Sequence, residues 1–169
     1  MYERKPKQKM GGAERRRLQV TRNVVDLRRS LDYLGIRQEV AQDKLALFGF
    51  SSGAAFAPIV TAVEPRFKVA ELAGGGLVQS AGTPETDPFQ FLPRSQVPVL
   101  LMNGRYDSVF PEDQSQQTLL KRLGAPAKDK KLVLIDSGHA MVGYPAVTRE
   151  SLDWLDHYLG AVPMPAHRR

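Results

Sequence analysis

Ser51 stands in Gly49-Phe50-Ser51-Ser52-Gly53, Asp107 closes Gly104-Arg105-Tyr106-Asp107, and His139 closes Ser137-Gly138-His139. A serine hydroxyl is a poor nucleophile until an imidazole takes its proton. The imidazole in turn needs a carboxylate to fix its tautomer and stabilise its cation. These residue types can therefore carry acyl transfer, provided the fold brings them together. Gly49 and Gly53 are expected to have a steric job, because a strand-to-helix turn around such a serine is too tight for neighbouring side chains.

Each residue also has a plainer reading. Ser51 and Ser52 could be turn or helix-capping residues. Asp107 could open the turn ahead of Pro111, leaving Glu112 or Asp113 as the acid. His139 could be an ordinary loop histidine; its rivals are His157, inside a helical pattern, and His167, in a basic, proline-containing tail. Trp154, at helical spacing with Leu152, Leu155 and Leu159, reads as core packing.

The elements that must position these residues follow from hydrophobic period. Val20, Val24, Leu27, Leu31 and Leu34 recur at three- and four-residue steps, the face of an amphipathic helix that Gly35 stops. Lys44 to Phe50 is a short apolar run, as a buried strand would be. Ala54 to Val63 reads as a helix closed by Glu64-Pro65, with Pro58 expected to kink it or confine it to a first turn. Strands are expected at Phe67 to Leu72, Val97 to Asn103 and Lys131 to Asp136, and helices at Pro111 to Leu123 and Thr148 to Leu159. Residues 77–96 read as a long functional loop. The alternation implies a mainly parallel α/β sheet of about four strands with helices on both faces. Ser51, Asp107 and His139 then all follow strands, on the edge of the sheet where such folds place their chemistry.

With 169 residues and 42% hydrophobic composition, the chain suits one domain, spanning residues 18–160, with a basic segment before it and a basic tail at 161–169. No apolar stretch approaches a membrane span and the N-terminus is charged, so the expectation is a cytoplasmic protein without a membrane partner. With zero cysteines, disulfides and thiolate metal sites are excluded. Residues 1–30 carry ten Lys/Arg against Glu3, Glu14 and Asp26, a local charge of +7 within a net +6. Without aromatic interleaving or a recognition-helix pattern this argues for a solvated, partly disordered lead-in over residues 1–17, rather than for a nucleic-acid partner.

The stretches GFSSGA, VPVLLMNGRYDSVFP and LIDSGHA resemble the α/β-hydrolase superfamily, specifically its dienelactone-hydrolase-like and acyl-aminoacyl-peptidase-like serine hydrolases, over about Val20 to Leu159. The order Ser, Asp, His is that of this superfamily. The resemblance implies Ser51 as nucleophile, Asp107 as acid, His139 as general base and the Ser52 N–H as one oxyanion donor. It implies ester hydrolysis without metal or cofactor. Phe50, Tyr106, Phe89 and Phe91 are the expected lining of the substrate pocket.

In the same superfamily further strands precede the nucleophile strand, and a loop among them supplies the second oxyanion N–H. Only Gly11-Gly12 could imitate that loop here, and no strand pattern leads into it. The nucleophile strand is therefore expected at a sheet edge. That edge would be covered by the N-terminal segment, paired with a second copy, or occupied by the missing front of a longer hydrolase. The alternative function is a weak or inert hydrolase-fold module acting in binding or assembly.

Overall fold

A computed structural model describes residues 11–77, 83–141 and 143–162. Arg4, Lys5, Lys7 and Lys9 of the basic arm, part of the 77–96 segment, and His167 with most of the C-terminal tail lie outside the described residues.

Four strands form one parallel sheet in sequence order: β1 (Ala46–Phe50), β2 (Val69–Ala73), β3 (Val99–Gly104) and β4 (Lys130–Ile135). The strands of the middle, β2 and β3, are buried at every residue, and both are apolar apart from Glu71 in β2 and Asn103 in β3.

The pleat sends alternate residues to opposite faces. On one face Ala70, Leu72, Val99 and Leu101 pack against α2 (Ser52–Val63) and α3 (Gln117–Arg122) through Ala54, Ala57 and Leu119. A neighbouring cluster sets Leu31 of α1 (Gly12–Gly35) against Leu45, Val60 and Phe67. On the other face Val69, Leu100, Met102 and Ile135 meet Val147 and Trp154 of α4 (Pro145–Leu159), so Trp154 is core as its spacing suggests. Each large side chain buried in this way contributes about 1.5–3 kcal/mol. The indole N–H of Trp154 and Oε1 of Glu71, a β2 residue on this same face, are buried without a hydrogen-bond partner among the described residues.

Several details depart from the sequence expectation. Helix α1 begins at Gly12, so residues 12–17 are helical rather than disordered. Ala13 and Arg15 to Arg17 are good helix formers and Glu14 sits in the first turn, where a carboxylate suits the helix dipole. Pro58 does not confine α2 to a first turn: the helix runs to Val63 with Pro58 buried inside. Burial of Ala54, Ala57, Ile59 and Val60 on its flanks outweighs the lost hydrogen bond. The helix expected from Pro111 opens as a wide π turn over Glu112–Gln116, held by Gln116 Nε2 donating to the Phe110 carbonyl at 2.6 Å. Within the expected long loop, residues 84–94 form three 3₁₀ turns anchored by Leu92, which is fully buried. Among the described residues no helix is long and apolar enough to cross a membrane.

Candidate active site

The turn from β1 into α2 places Ser51 at φ 52° and ψ −113°, the only non-glycine residue with positive φ among those described. A residue held there is strained and persists because its surroundings over-determine it. Two backbone bonds do so: Ser51 N–H donates to the Ala73 carbonyl at 2.9 Å, and the Ser51 carbonyl accepts from Ala55 N–H at 3.0 Å. Gly49 is sterically required, because a Cβ there would stand 2.8–2.9 Å from the backbone of Gly53 and Ala54. Gly53 is not: a Cβ there meets nothing within 4 Å, so the expected steric role fails at that position. It occupies the first turn of α2, where a Cβ would stand in open space.

His139 follows β4 and Asp107 follows β3; at the carboxyl edge of the sheet His139 reaches Ser51, and Asp107 reaches His139. His139 Nε2 lies 2.8 Å from Ser51 Oγ, and His139 Nδ1 lies 2.9 Å from Asp107 Oδ2. The carboxylate accepts at Nδ1–H, which leaves Nε2 free to accept the Ser51 hydroxyl proton. The second oxygen of Asp107, Oδ1, accepts the backbone N–H groups of Val109 at 2.8 Å and Phe110 at 3.0 Å. Asp107 is 4% exposed and fully engaged, both aimed at the imidazole and fixed by its own turn. The rival carboxylates are occupied elsewhere: Glu112 accepts from Gln117 Nε2 and Asp113 from the N–H of Gln114. His157 lies edge-on to Tyr158 in α4.

The rings of Phe50 and Phe110 flank His139, with centroids 5.6 and 5.8 Å from that of the imidazole. Gly104 lets the β3 and β4 turns meet, since a Cβ there would come within 2.0 Å of the Gly138 carbonyl. Ser52 opens α2, and a first-turn amide has no intrahelical acceptor. Among the described residues no cluster of acidic and histidine side chains could hold a metal ion.

A cleft of about 520 Å³ opens at Ser51 and Ser52. Its apolar wall comes from Phe56, Ile59, Val109 and Phe110, and its polar wall from Arg16, Gln19 and Asn23 of α1. Of the expected pocket residues, Phe50 sits beside His139, but Tyr106, Phe89 and Phe91 do not line the cleft. Tyr106 is 71% exposed. The 3₁₀ turns carry Phe89 and Phe91 outward, where the Arg122 and Arg94 guanidinium groups lie 5.1 and 5.0 Å from their rings, while Thr86 and Pro88 face the cleft instead. Sequence reasoning missed the contribution of α1. Its signal was present: Arg16, Gln19, Val20 and Asn23 share one helical face once the helix is carried back to Gly12.

A family model for dienelactone hydrolases matches residues 2–143. The chain belongs to the dienelactone hydrolase family. Among solved structures, this dienelactone hydrolase family member is similar to a cold-adapted esterase from an Arctic intertidal metagenomic library, at 26% identity and TM-score 0.67. The match covers 83% of this chain and 59% of that esterase. An acetyl xylan esterase from a Paenibacillus species (20% identity, 81% and 52% covered, TM-score 0.66) shares the fold. So does a putative dienelactone hydrolase from Klebsiella pneumoniae (18%, 85% and 62%, 0.67). The four-stranded sheet with its helices is thus an α/β-hydrolase fold, and the chain spans about three fifths of the length of the first of these relatives. No curated protein sequence matches it.

Proposed function

We propose that this chain carries the catalytic machinery of a serine hydrolase that cleaves carboxylic esters through an acyl-enzyme intermediate. The observation that carries the reading is the hydrogen-bonded relay from Ser51 Oγ through His139 to Asp107, at 2.8 and 2.9 Å. Ser51 Oγ attacks the ester carbonyl while its proton passes to His139 Nε2. Asp107 holds Nδ1–H and stabilises the imidazolium that forms. The tetrahedral intermediate collapses as His139 returns the proton to the leaving alcohol. Water then enters, gives a proton to His139 and attacks the acyl carbon, and Ser51 is regenerated when the acid departs.

Negative charge on the carbonyl oxygen needs donors in place before it develops. The Ser52 N–H is one. Side-chain donors on the α1 wall of the same cleft, from Arg16, Gln19 and Asn23, are available for a second. The apolar wall around Phe56, Ile59 and Phe110 suits the acyl or alcohol group of a small ester.

The test is hydrolysis of a short-chain p-nitrophenyl ester, with fluorophosphonate labelling as a second readout. Ser51→Ala is expected to abolish labelling and lower kcat by at least about 10³-fold in a chain that stays folded. Unchanged turnover in that variant would sink the reading. A second reading is a hydrolase-fold module acting in binding or assembly, β1 standing at the end of the sheet among the described residues; it predicts a folded wild-type chain that the probe leaves unlabelled.

A further inference from the structure

β2 runs into Gly74-Gly75-Gly76, next to the carboxyl end of β3 at Asn103-Gly104. Gly74 N–H donates to the Met102 carbonyl at 2.9 Å, which continues the ladder between the two strands by one rung. Beyond that rung the Asn103 side chain takes the place of a strand. Its Nδ2 donates to the Gly75 carbonyl at 2.8 Å, and its Oδ1 accepts from the Gly75 N–H at 3.2 Å. One carboxamide thus fixes the two peptide groups that flank Gly75. Asn103 is fully buried and the three glycines are buried with it, so both bonds are made out of contact with bulk water.

The turn that Asn103 holds touches every segment of the relay. A Cβ on Gly74, whose φ is 56°, would stand 3.3 Å from Cε1 of His139 and 3.2 Å from both the His139 carbonyl oxygen and the Phe50 ring. On Gly75 it would stand 2.5 Å from the Cβ of Ala54, in the helix that follows Ser51. On Gly76 it would meet the Ser115 hydroxyl and stand 2.9 Å from the ring of Phe110, whose N–H donates to Asp107. Ser115 also donates to the Leu77 carbonyl at 2.7 Å, which ties the far end of the turn to the Asp107 side. Cε1 is the imidazole atom between Nδ1 and Nε2. A stop at Cε1 therefore sets the distance of the ring to Asp107 and to Ser51 together.

We propose that Asn103 is a positioning residue of the relay: by clamping the peptide groups of Gly75 it holds Gly74 against His139 Cε1, and so keeps Nε2 and Nδ1 within reach of Ser51 and Asp107. The proposal rests on the reading of these three residues as a hydrolytic relay, and adds to it a residue that touches no reacting atom. Without the carboxamide a buried N–H and a buried C=O lose their partners, which is costly, and the turn shifts to find others. Proton transfer is sensitive to such a shift, since misplacement by about 1 Å can cost about 10²-fold in rate.

Asn103→Ala is expected to lower kcat for the p-nitrophenyl ester by about 10- to 100-fold with KM held within about 3-fold, because the walls of the cleft are untouched. Asn103→Asp separates positioning from packing. Its carboxylate accepts from the Gly75 N–H but has no proton for the Gly75 carbonyl; once protonated it serves both, and burial favours the protonated form. The ratio of its kcat to that of the wild type should therefore rise as pH falls from about 8 to about 5. Taking the ratio removes the pH dependence that both chains share. The Cε1–H proton resonance of His139, assigned by its loss in His139→Gln, gives a readout that needs no turnover. It should move in Asn103→Ala while that of His157 stays, and in Asn103→Asp it should approach the wild-type position at the acid end. If Asn103→Ala does not fold, Asn103→Asp, whose pair is complete in acid, carries the same measurements. An unmoved His139 resonance overturns the proposal. So does a ratio flat with pH, or a wild-type kcat in a folded Asn103→Ala chain whose urea midpoint has dropped, the mark of a structural role only. If the wild type does not hydrolyse the ester, the ester reading falls, and the His139 resonance alone decides whether Asn103 places the ring.

Discussion

Gly49 and Gly53 look equivalent in the motif around Ser51, yet only Gly49 faces neighbouring backbone closer than a Cβ tolerates. Opposite outcomes are expected for the same substitution at the two positions. Gly49→Ala forces the turn open and should destabilise the chain by about 1–3 kcal/mol. Gly53→Ala adds a better helix former in open space and should leave stability unchanged or raise it by up to about 1 kcal/mol. Urea midpoints of the two variants read the difference; equal losses would mean that both glycines relieve crowding. The same scale shows what was legible. Ser51, Asp107 and His139 could be singled out as candidates from type, order and position after strands, and the fold brings them into one hydrogen-bonded chain. Phe89 and Phe91 were misassigned because aromatic type does not say which way a 3₁₀ turn sends its side chains, and here Thr86 and Pro88 take the inward positions.

Among the elements, α1 supplies the polar wall of the cleft and was read least completely. Its attachment to the body runs through Glu64, the residue that caps α2 and is 1% exposed. Arg66 bonds both oxygens of Glu64 at 2.7 Å, Arg28 of α1 approaches at 3.3 Å, and Arg66 reaches on to Asp32 of α1 at 2.7 Å. The hydrogen bonds from Arg66 hold the Glu64 carboxyl below its ordinary range against the opposing effect of burial. An acid whose pKa is depressed by folding stabilises the fold above its unfolded pKa, and that contribution is lost as pH falls through the folded value. Glu64→Gln should therefore cost about 3 kcal/mol near neutrality, and the penalty should shrink in acid. Glu71 works in the opposite sense: burial raises its carboxyl, only partly offset by the Ser151 hydroxyl, so its relative contribution is present at low pH and lost as pH rises. Denaturation curves across pH 3 to 8 check the sign; a Glu64→Gln penalty independent of pH would contradict it. Hydrophobic period located the rear of α1 well and missed its front, since residues 12–17 offer no apolar stripe and helix there is carried by propensity and the Thr86 side of the cleft. Confinement of α2 to a turn at Pro58 failed for the converse reason, local chemistry being overruled by burial along the helix.

For the molecule as a whole, a mainly parallel sheet of about four strands was readable because each strand is a short apolar run separated from the next by turns and helical segments, while the sequential order of the strands was supplied by the structure. The place of β1 at the end of the sheet among the described residues agrees with the absence of any strand pattern before Lys44. The geometry of the cleft was not readable, because it is assembled from α1, α2, the 3₁₀ turns and the segment after β3, which meet only in three dimensions.

The distribution of the candidate site along the chain also bears on how it is built in time. Ser51 and His139 are 88 residues apart and Asp107 and His139 are 32 apart. Loops of that length close slowly, and parallel pairings are late events because chain entropy is lost before contacts repay it. His139 is delivered only when β4 is in register and α4 has docked behind it. On dilution from urea, fluorophosphonate labelling of Ser51 should return with the slowest phase seen by far-UV circular dichroism; labelling ahead of that phase would show that the relay forms before the sheet. Reactivity at Ser51 then serves as a clock for the last step of folding, and fraying at the C-terminal end of the chain silences the serine while the rest of the core is still in place.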